Sequence, residues 1–98
     1  MTDSLPKSEK QCVVEMYTKD YCPYCTAAAN LLTQRGIAFE EIDISGDSNL
    51  RQKMLERAAP RMTVPQIFIN NIAIGGYTDL KKLDDEGRLE SLTFPSGR

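Results

Sequence analysis

The stretch that decides the fold is VVEMYTKDYCPYCTAAANLLTQR, residues 13–35. It begins with a short, apolar, β-favouring run over Val13–Tyr17, which predicts a buried strand. It ends with a helix-like run over Thr26–Arg35, in which apolar residues recur at helical spacing. Between the two lies Cys22-Pro23-Tyr24-Cys25. A strand, a Cys-x-x-Cys and a helix in this order indicate a βα unit with a redox-active thiol pair at its turn.

The position of Cys22 favours a reactive thiol. The first turn of a helix has unpaired N–H groups and a partial positive charge. A thiolate is stabilised there, so we expect the pKa of Cys22 to lie below that of a free cysteine. Pro23 suits the first helical position, because proline has no N–H that needs a partner. The residues alone leave two alternatives open, since the two thiols could be structural or could supply half of a metal site.

Composition limits the class of protein. The chain has 98 residues, enough for one domain, with 41% hydrophobic and 27% charged residues, as in ordinary globular proteins. The net charge of −2 gives no basic field for a nucleic acid. No apolar run approaches the roughly 20 residues of a membrane span. We therefore expect neither a nucleic acid nor a membrane as a partner.

The cysteine and histidine counts bear on location and on metals. Three cysteines are an odd number, which suits a reducing cytosol better than a secreted disulfide scaffold. The first ten residues lack the apolar core of a signal peptide, so we expect a cytoplasmic protein. The absence of histidine excludes Cys–His protease catalysis and His-containing zinc sites within this chain, and three cysteines cannot close a four-thiolate zinc site. We therefore expect no metal site.

The remaining sequence predicts the element order β-α-β-α-β-β-α. A second strand is expected over residues 37–44 and a second helix after Asp47, a good N-cap residue. Two short apolar runs flank Asn70-Asn71, a turn pair, and predict a hairpin, and later leucines predict one or two terminal helices. This order implies an α/β fold with a mixed four-stranded sheet flanked by helices. We expect a domain over residues 11–93, a mobile N-terminal tail over 1–10 and a C-terminal tail over 94–98.

Some residues have a purely structural interpretation. Cys12 lies in the first apolar strand and is expected in the core, where free cysteine is common. Arg51, Arg57 and Arg61 are expected to be surface charges. Tyr24 is expected to be exposed beside the thiols.

Four separate pieces of the sequence together resemble the dithiol glutaredoxins. They are Thr18-Lys19 before Cys22-Pro23-Tyr24-Cys25, then Thr63-Val64-Pro65, the strand Ile67-Phe68-Ile69, and Gly75-Gly76-Tyr77-Thr78-Asp79-Leu80. In this order and spacing the similarity extends from Val13 to Leu92. The Cys-x-x-Cys by itself is shared with thioredoxins and many metal sites, but the combination is specific. The resemblance implies a thioredoxin-like fold.

The resemblance also implies roles for single residues. Cys22 corresponds to the nucleophile and Cys25 to the resolving thiol. Val64-Pro65 is similar to the family's cis peptide beside the active site, where the Val64 backbone pairs with the cysteinyl part of glutathione. The residues implied in glutathione binding are Lys19 and Gln52 for the glycine carboxylate, Thr78 and Asp79 for the γ-glutamyl end, and Tyr24, Thr63, Val64, Pro65 and Tyr77 beside the molecule.

One departure from the family pattern concerns charge. Many relatives carry basic residues just after the second cysteine, whereas Thr26-Ala27-Ala28-Ala29 follows here. Lys19 and the helix end are then the main sources of positive charge near Cys22.

The activity implied by the resemblance is glutathione-dependent thiol–disulfide exchange. Cys22 would reduce protein–glutathione mixed disulfides and protein disulfides, with glutathione as co-substrate and no tightly bound cofactor. The expected partners are glutathione and glutathionylated or disulfide-containing proteins, and the expected state is a monomer. One alternative is a binding protein that holds an iron–sulfur cluster between two subunits, against which Pro23 argues. Another is a donor fed by a thioredoxin reductase, against which the Thr63-Val64-Pro65 and Thr78-Asp79 pieces argue.

Overall fold

The computed structural model describes residues 11–58 and 63–95. The elements these residues form are β1 (Val14–Thr18), α1 (Pro23–Gln34), β2 (Glu40–Asp43), α2 (Ser48–Ala58), β3 (Gln66–Ile69), β4 (Ile72–Gly75), α3 (Tyr77–Asp85) and α4 (Leu89–Thr93). The tail predicted over residues 1–10 lies outside the described residues, and so do Arg61 and residues 96–98.

The strands form one mixed sheet in the order β2-β1-β3-β4. β1 pairs in parallel with β2 and antiparallel with β3, and β3 pairs antiparallel with β4. The hairpin turns at Asn70 and Asn71, whose φ angles of 54° and 71° are both positive, as a type I′ turn requires. The predicted four-stranded mixed sheet is confirmed, and the terminal segment forms two helices.

Both faces of the sheet are covered by helices. On one face Met16 and Ile67 pack with apolar residues of α1 and α3, including Leu32 and Leu80. On the other face the core contains Tyr17, Phe68 and Met54, the last of these from α2. Because β1 and β2 are parallel and each leads into a helix, α1 and α2 both begin at the same edge of the sheet. Ligands of open α/β sheets bind at this edge, outside the carboxyl ends of the strands.

Local signals in the sequence set the start of two helices. Pro23 occupies the first position of α1, as expected. The Asp47 carboxylate accepts a hydrogen bond of 3.0 Å from the Leu50 N–H, so the predicted N-cap of α2 is confirmed. Among the described residues no helix is both long and apolar enough to cross a membrane.

The C-terminal boundary of the domain needs one correction. Phe94, assigned to a tail from the sequence, is only 3% exposed and belongs to the core between the sheet, α1 and α3. Its N–H donates to the Glu90 carbonyl at 2.7 Å, which holds the residue against the end of α4. The packed domain therefore includes Phe94, because burial of the ring stabilises this position.

Candidate active site

The two thiol residues lie where β1 leads into α1. Cys22 is the N-cap of α1, and its sulfur accepts a hydrogen bond of 3.2 Å from the Cys25 N–H. The two residues are joined in a disulfide, with their Cα atoms 5.2 Å apart. Cys25 is 5% exposed, whereas Cys22 is half-buried. An incoming sulfur can therefore reach Cys22 more easily than Cys25.

A second backbone segment faces the disulfide. The Val64–Pro65 peptide bond is cis, as the resemblance implied. The Cys22 sulfur lies 3.8 Å from the carbonyl oxygen of Val64. Thr63 is exposed and Val64 is half-buried, so this segment presents an accessible backbone edge beside the reactive sulfur.

Two clefts meet at this edge. The first, here called the basic cleft, has a volume of about 710 Å³ and is lined by two cations, Lys19 and Arg51, and one anion, Asp20. Its lining also includes Cys22, Thr63 and Val64. Both of its cations are exposed, so they can turn toward a bound anion. This cleft can hold a carboxylate a short distance from the Cys22 sulfur.

The structure separates Arg51 from Gln52, although the two are neighbours in α2. Arg51, expected from the sequence to be only a surface charge, lines the basic cleft. Gln52 is absent from that lining, and its amide donates to Glu56 at 3.4 Å along the exposed side of α2. Successive helical residues point about 100° apart, so the two side chains leave α2 in different directions. Arg51 therefore adds a cation to the cleft, and the glycine-carboxylate role implied for Gln52 stays a prediction.

The second cleft, here called the helix cleft, has a volume of about 270 Å³ and reaches the start of α3. The residues that line it are Tyr24, Thr63, Val64, Pro65, Gly76, Tyr77, Thr78 and Asp79. The Asp79 carboxylate accepts a hydrogen bond of 3.0 Å from the Gly76 N–H and so caps the helix. A helix N-terminus beside a carboxylate can hold a group that carries both an anion and a cation.

Aromatic rings border the helix cleft. The rings of Tyr24 and Tyr77 are stacked, with centroids 6.1 Å apart and planes 29° apart. Tyr24 is 64% exposed, as expected from the sequence. The stack presents an apolar wall on the side of the cleft formed by α1.

Hydrogen bonds tie the loop before Cys22 to the loop after β2. The Asp20 N–H donates to the Ser45 hydroxyl at 2.7 Å, and the Ser45 N–H donates to the Asp43 carboxylate at 2.8 Å. The backbone hydrogen bond from Ser45 is the main cause that lowers the pKa of Asp43, with the Ser45 side chain as the next cause. The Asp43 carboxylate, which lies on the Cys25 side of the disulfide, therefore stays negative at neutral pH. Lys19 and Asp20 line both sides, but Arg51 lines only the basic cleft, so an anionic ligand is favoured in the basic cleft.

Other residues singled out in the sequence lie away from the two clefts. Arg57 is half-buried and bonded to Glu15 and Tyr17, so its assignment as a surface charge is wrong. Cys12 precedes β1 instead of lying in it, and it is half-buried against the core, which fits its expected structural role but not its expected place in the strand. Gln66 had no role in the sequence interpretation, yet it is a buried polar residue that donates to Thr63 beside both clefts. A polar residue directly after the Val64-Pro65 pair was the only signal available for it.

The described residues contain no group of three or more histidine, cysteine, aspartate or glutamate side chains that could hold a metal ion. The Cys22 and Cys25 sulfurs are bonded to each other. The arrangement suits thiol–disulfide exchange at Cys22.

Comparisons with known proteins agree with this chemistry. The family model described as glutaredoxin matches residues 14–74. Glutaredoxin 3 of Escherichia coli K12 is 48% identical over 79 residues, which cover 81% of this chain and 94% of that protein. The solution structure of a glutaredoxin from Brucella melitensis is 47% identical, with a TM-score of 0.75 over 89% of this chain and 91% of that chain. The crystal structure of a buckwheat glutaredoxin–glutathione complex, 23% identical, shares the fold with a TM-score of 0.77 over 86% of this chain and 78% of that chain. The expected thioredoxin-like fold is confirmed.

Proposed function

This chain belongs to the glutaredoxin family, and we propose from this premise that glutathione is its reductant and that it reduces protein–glutathione mixed disulfides and protein disulfides. As a member of the family it is a thiol–disulfide oxidoreductase. The proposal concerns the co-substrate, the substrates and the role of each sulfur.

The observation that carries the proposal is the meeting of the two clefts at Thr63 and Val64, beside the Cys22 sulfur. Glutathione is a tripeptide with a carboxylate at its glycine end, a thiol in the middle, and a carboxylate and an ammonium group at its γ-glutamyl end. The basic cleft offers cations for the glycine end. The helix cleft offers the α3 N-terminus and Asp79 for the other end.

Glutathione bound across both clefts would place its cysteinyl part along Val64. An extended peptide segment can pair with an exposed backbone edge through main-chain hydrogen bonds. This pairing would bring the glutathione sulfur next to Cys22. The buckwheat protein whose fold this chain shares was crystallised with glutathione, which supports the same co-substrate here.

The monothiol route begins with attack by the Cys22 thiolate on the glutathione sulfur of a mixed disulfide. A bond forms between Cys22 and glutathione, and the protein substrate leaves as a thiolate. A second glutathione thiolate then attacks the glutathione sulfur of this adduct, which releases oxidised glutathione and restores the Cys22 thiolate. Electrons balance with one free glutathione consumed: its sulfur and the glutathione sulfur of the substrate form oxidised glutathione, and the protein sulfur is reduced to the thiol.

The dithiol route uses both cysteines. The Cys22 thiolate attacks a protein disulfide, and the Cys25 thiolate then attacks the Cys22 sulfur, so that the protein leaves as a dithiol and the Cys22–Cys25 disulfide forms. The structure holds the pair in this oxidised state. Two glutathione molecules would return it to the dithiol.

The helix N-terminus at Cys22 acts mainly on the leaving step. A lower thiol pKa raises the thiolate fraction at neutral pH but lowers intrinsic nucleophilicity by a similar factor, so the two effects nearly cancel for attack. A sulfur of low pKa is the better leaving group. When glutathione attacks the Cys22 adduct, Cys22 is that leaving group.

We place this activity in the cytoplasm and assign it to a monomer. A dithiol that must be returned to its reduced state suits a compartment rich in reduced glutathione. Cys12 has no disulfide partner, which is also common in a reducing compartment. Size-exclusion chromatography with light scattering and fractionation of cells test these two assignments.

The deciding experiment is reduction of a glutathionylated peptide with glutathione, comparing the wild type with Cys22→Ser, Cys25→Ser and Cys12→Ser. We expect no turnover with Cys22→Ser, retained turnover with Cys25→Ser, and wild-type rates with Cys12→Ser, the control for loss of a thiol outside the site. Loss of activity in Cys25→Ser would make the dithiol route obligatory. A wild type inactive with glutathione would refute the proposal and favour a reductase-fed donor or a cluster carrier.

A further inference from the structure

Gln66 is an unusual residue for its position. It is the first residue of β3, a strand with neighbours on both sides, and it pairs in register with Tyr17 of β1. Its side chain is on the α2 face of the sheet and is almost completely buried, with the residue 1% exposed. A buried amide is destabilising unless it is hydrogen-bonded, so an apolar side chain would suit this place better on packing grounds alone.

The side-chain amide of Gln66 is hydrogen-bonded to Thr63, which belongs to the backbone segment that faces the disulfide. Its Nε2 donates to the Thr63 carbonyl at 2.8 Å and approaches the Thr63 hydroxyl at 3.3 Å. Thr63 lines both clefts. The side chain therefore spans the cis Val64–Pro65 segment and ties its start to the centre of the sheet.

This bond fixes the direction of one peptide group. The Thr63 carbonyl points inward, toward the buried amide of Gln66. In a trans peptide the carbonyl and the N–H point in opposite directions. The Val64 N–H is consequently turned away from Gln66, and Val64 itself lines both clefts.

We propose that Gln66 is a positioning residue for glutathione: by holding the Thr63 carbonyl inward, its amide aims the Val64 N–H at the cysteinyl carbonyl of the bound tripeptide. This inference rests on the proposed function, since it assigns a cause to the backbone pairing at Val64. Gln66 does not touch the substrate, and it acts only through the Thr63–Val64 peptide. Without the amide, this peptide group can rotate, and the binding edge loses its fixed geometry.

The test compares Gln66→Met with Thr93→Val. Methionine has a similar length but no N–H, so it removes the bond and keeps the volume. Thr93 is the matched control, because it is also fully buried and donates a hydrogen bond of 2.8 Å to Leu89, yet it lies in α4, away from both clefts. Three quantities are measured for each variant: the kinetic constants for a glutathionylated peptide at a fixed glutathione concentration, the rate at which dithiothreitol reduces the Cys22–Cys25 disulfide, and the melting temperature.

We expect Gln66→Met to raise the KM for the glutathionylated peptide about tenfold, the size of effect expected when a buried hydrogen bond that orients a binding group is lost. The rate at which dithiothreitol reduces the Cys22–Cys25 disulfide should change less than twofold, because it does not depend on backbone pairing with the tripeptide. Thr93→Val should lower the melting temperature and leave the KM unchanged. A KM for Gln66→Met within twofold of the wild type overturns the inference. A wild type that does not turn over glutathione overturns the proposed function, and the inference with it.

A measurement on the wild type covers the case in which Gln66→Met does not fold. Unreactive S-methylglutathione is titrated into isotope-labelled protein and followed by NMR. The Val64 backbone amide and the Gln66 side-chain amide should shift together. The Gln11 amide, which is bonded to Cys12 and Ala38, is the control and should not shift. If other signals shift saturably but the Val64 and Gln66 amides do not, the inference about Gln66 is overturned and glutathione binding stands. If no signal shifts, glutathione binding itself is overturned.

Discussion

Replacement of Arg57 by methionine should destabilise the domain by more than replacement of an exposed charged residue would. The guanidinium donates to both carboxylate oxygens of Glu15, at 2.7 and 3.3 Å, and to the Tyr17 hydroxyl at 2.9 Å. It also lies over the Phe68 ring, 4.1 Å from the centroid. The pKa of Arg57 is raised, chiefly by its hydrogen bond to Glu15. This one side chain therefore connects α2 to the sheet.

The expected loss follows from the exposure of the partners. The side chains of Arg57 and Glu15 are 27% and 19% exposed, so the pair is partly protected from water. Loss of the cation–π contact costs about 1 kcal/mol at such a site. Leaving the Glu15 carboxylate without its partner costs about 1 to 2 kcal/mol, below the value for full burial because water can still reach the group. The sum of about 2 to 3 kcal/mol corresponds to a melting temperature lower by roughly 10 to 15 °C in a domain of this size.

Thermal unfolding followed by circular dichroism measures this change. Glu15→Gln and the double variant Arg57→Met/Glu15→Gln complete a double-mutant cycle. We expect the two single changes in stability to be non-additive, because the two side chains are in contact. Arg88→Met is the control, since Arg88 is 63% exposed and 3.5 Å from its partner Glu86, and its removal should leave the melting temperature unchanged. A shift below about 3 °C for Arg57→Met, or additive single effects, would refute the reasoning.

Three further predictions concern the site and the pH dependence of stability. Arg51→Met should raise the KM for the glutathionylated peptide about fivefold in initial-rate assays, the value for loss of about 1 kcal/mol of attraction in an open cleft. Gln52→Met removes no charge and should raise this KM less, so equal effects of the two would contradict the electrostatic contribution of Arg51. The pKa of Asp84 is lowered, first by its hydrogen bond to Arg35. Its ionised form therefore stabilises the fold fully above its unfolded pKa of about 4, and this stabilisation is lost as the pH falls through the lower pKa of the folded state. The difference in melting temperature between the wild type and Asp84→Asn should accordingly be constant above about pH 5 and vanish in acid, and a difference that persists in acid would count against the ion pair. Tyr21 has a left-handed φ of 56° and a fully exposed ring. Asparagine adopts this conformation more readily, so Tyr21→Asn should raise the free energy of unfolding in urea by about 0.5 to 1 kcal/mol. A lower free energy of unfolding would show that the tyrosine ring makes a stabilising contact.

The fold was predictable because its signals are local. The first strand, Pro23 at the start of α1, the N-cap Asp47 and the Asn70-Asn71 turn each depend on a few neighbouring residues; all formed as expected, with β1 one residue later than the predicted Val13–Tyr17. Phe94 was assigned wrongly because its burial depends on the return of α4 to the sheet, which leaves no periodic pattern in five helical residues.

The sequence alone determined the position of the thiol pair, the order of the elements and, through the family resemblance, the class of chemistry, since a thiol pair at the start of a helix brings its own electrostatic environment. Tertiary structure alone decided that Arg51 lines the basic cleft, that Arg57 is bonded to the sheet, and that Gln66 is bonded to Thr63. The angle at which α2 packs on the sheet determines the first two, and the close return of the chain around Pro65 determines the third. These are contacts between separate segments, and a side chain's partners in another segment are set by packing rather than by its neighbours in the sequence.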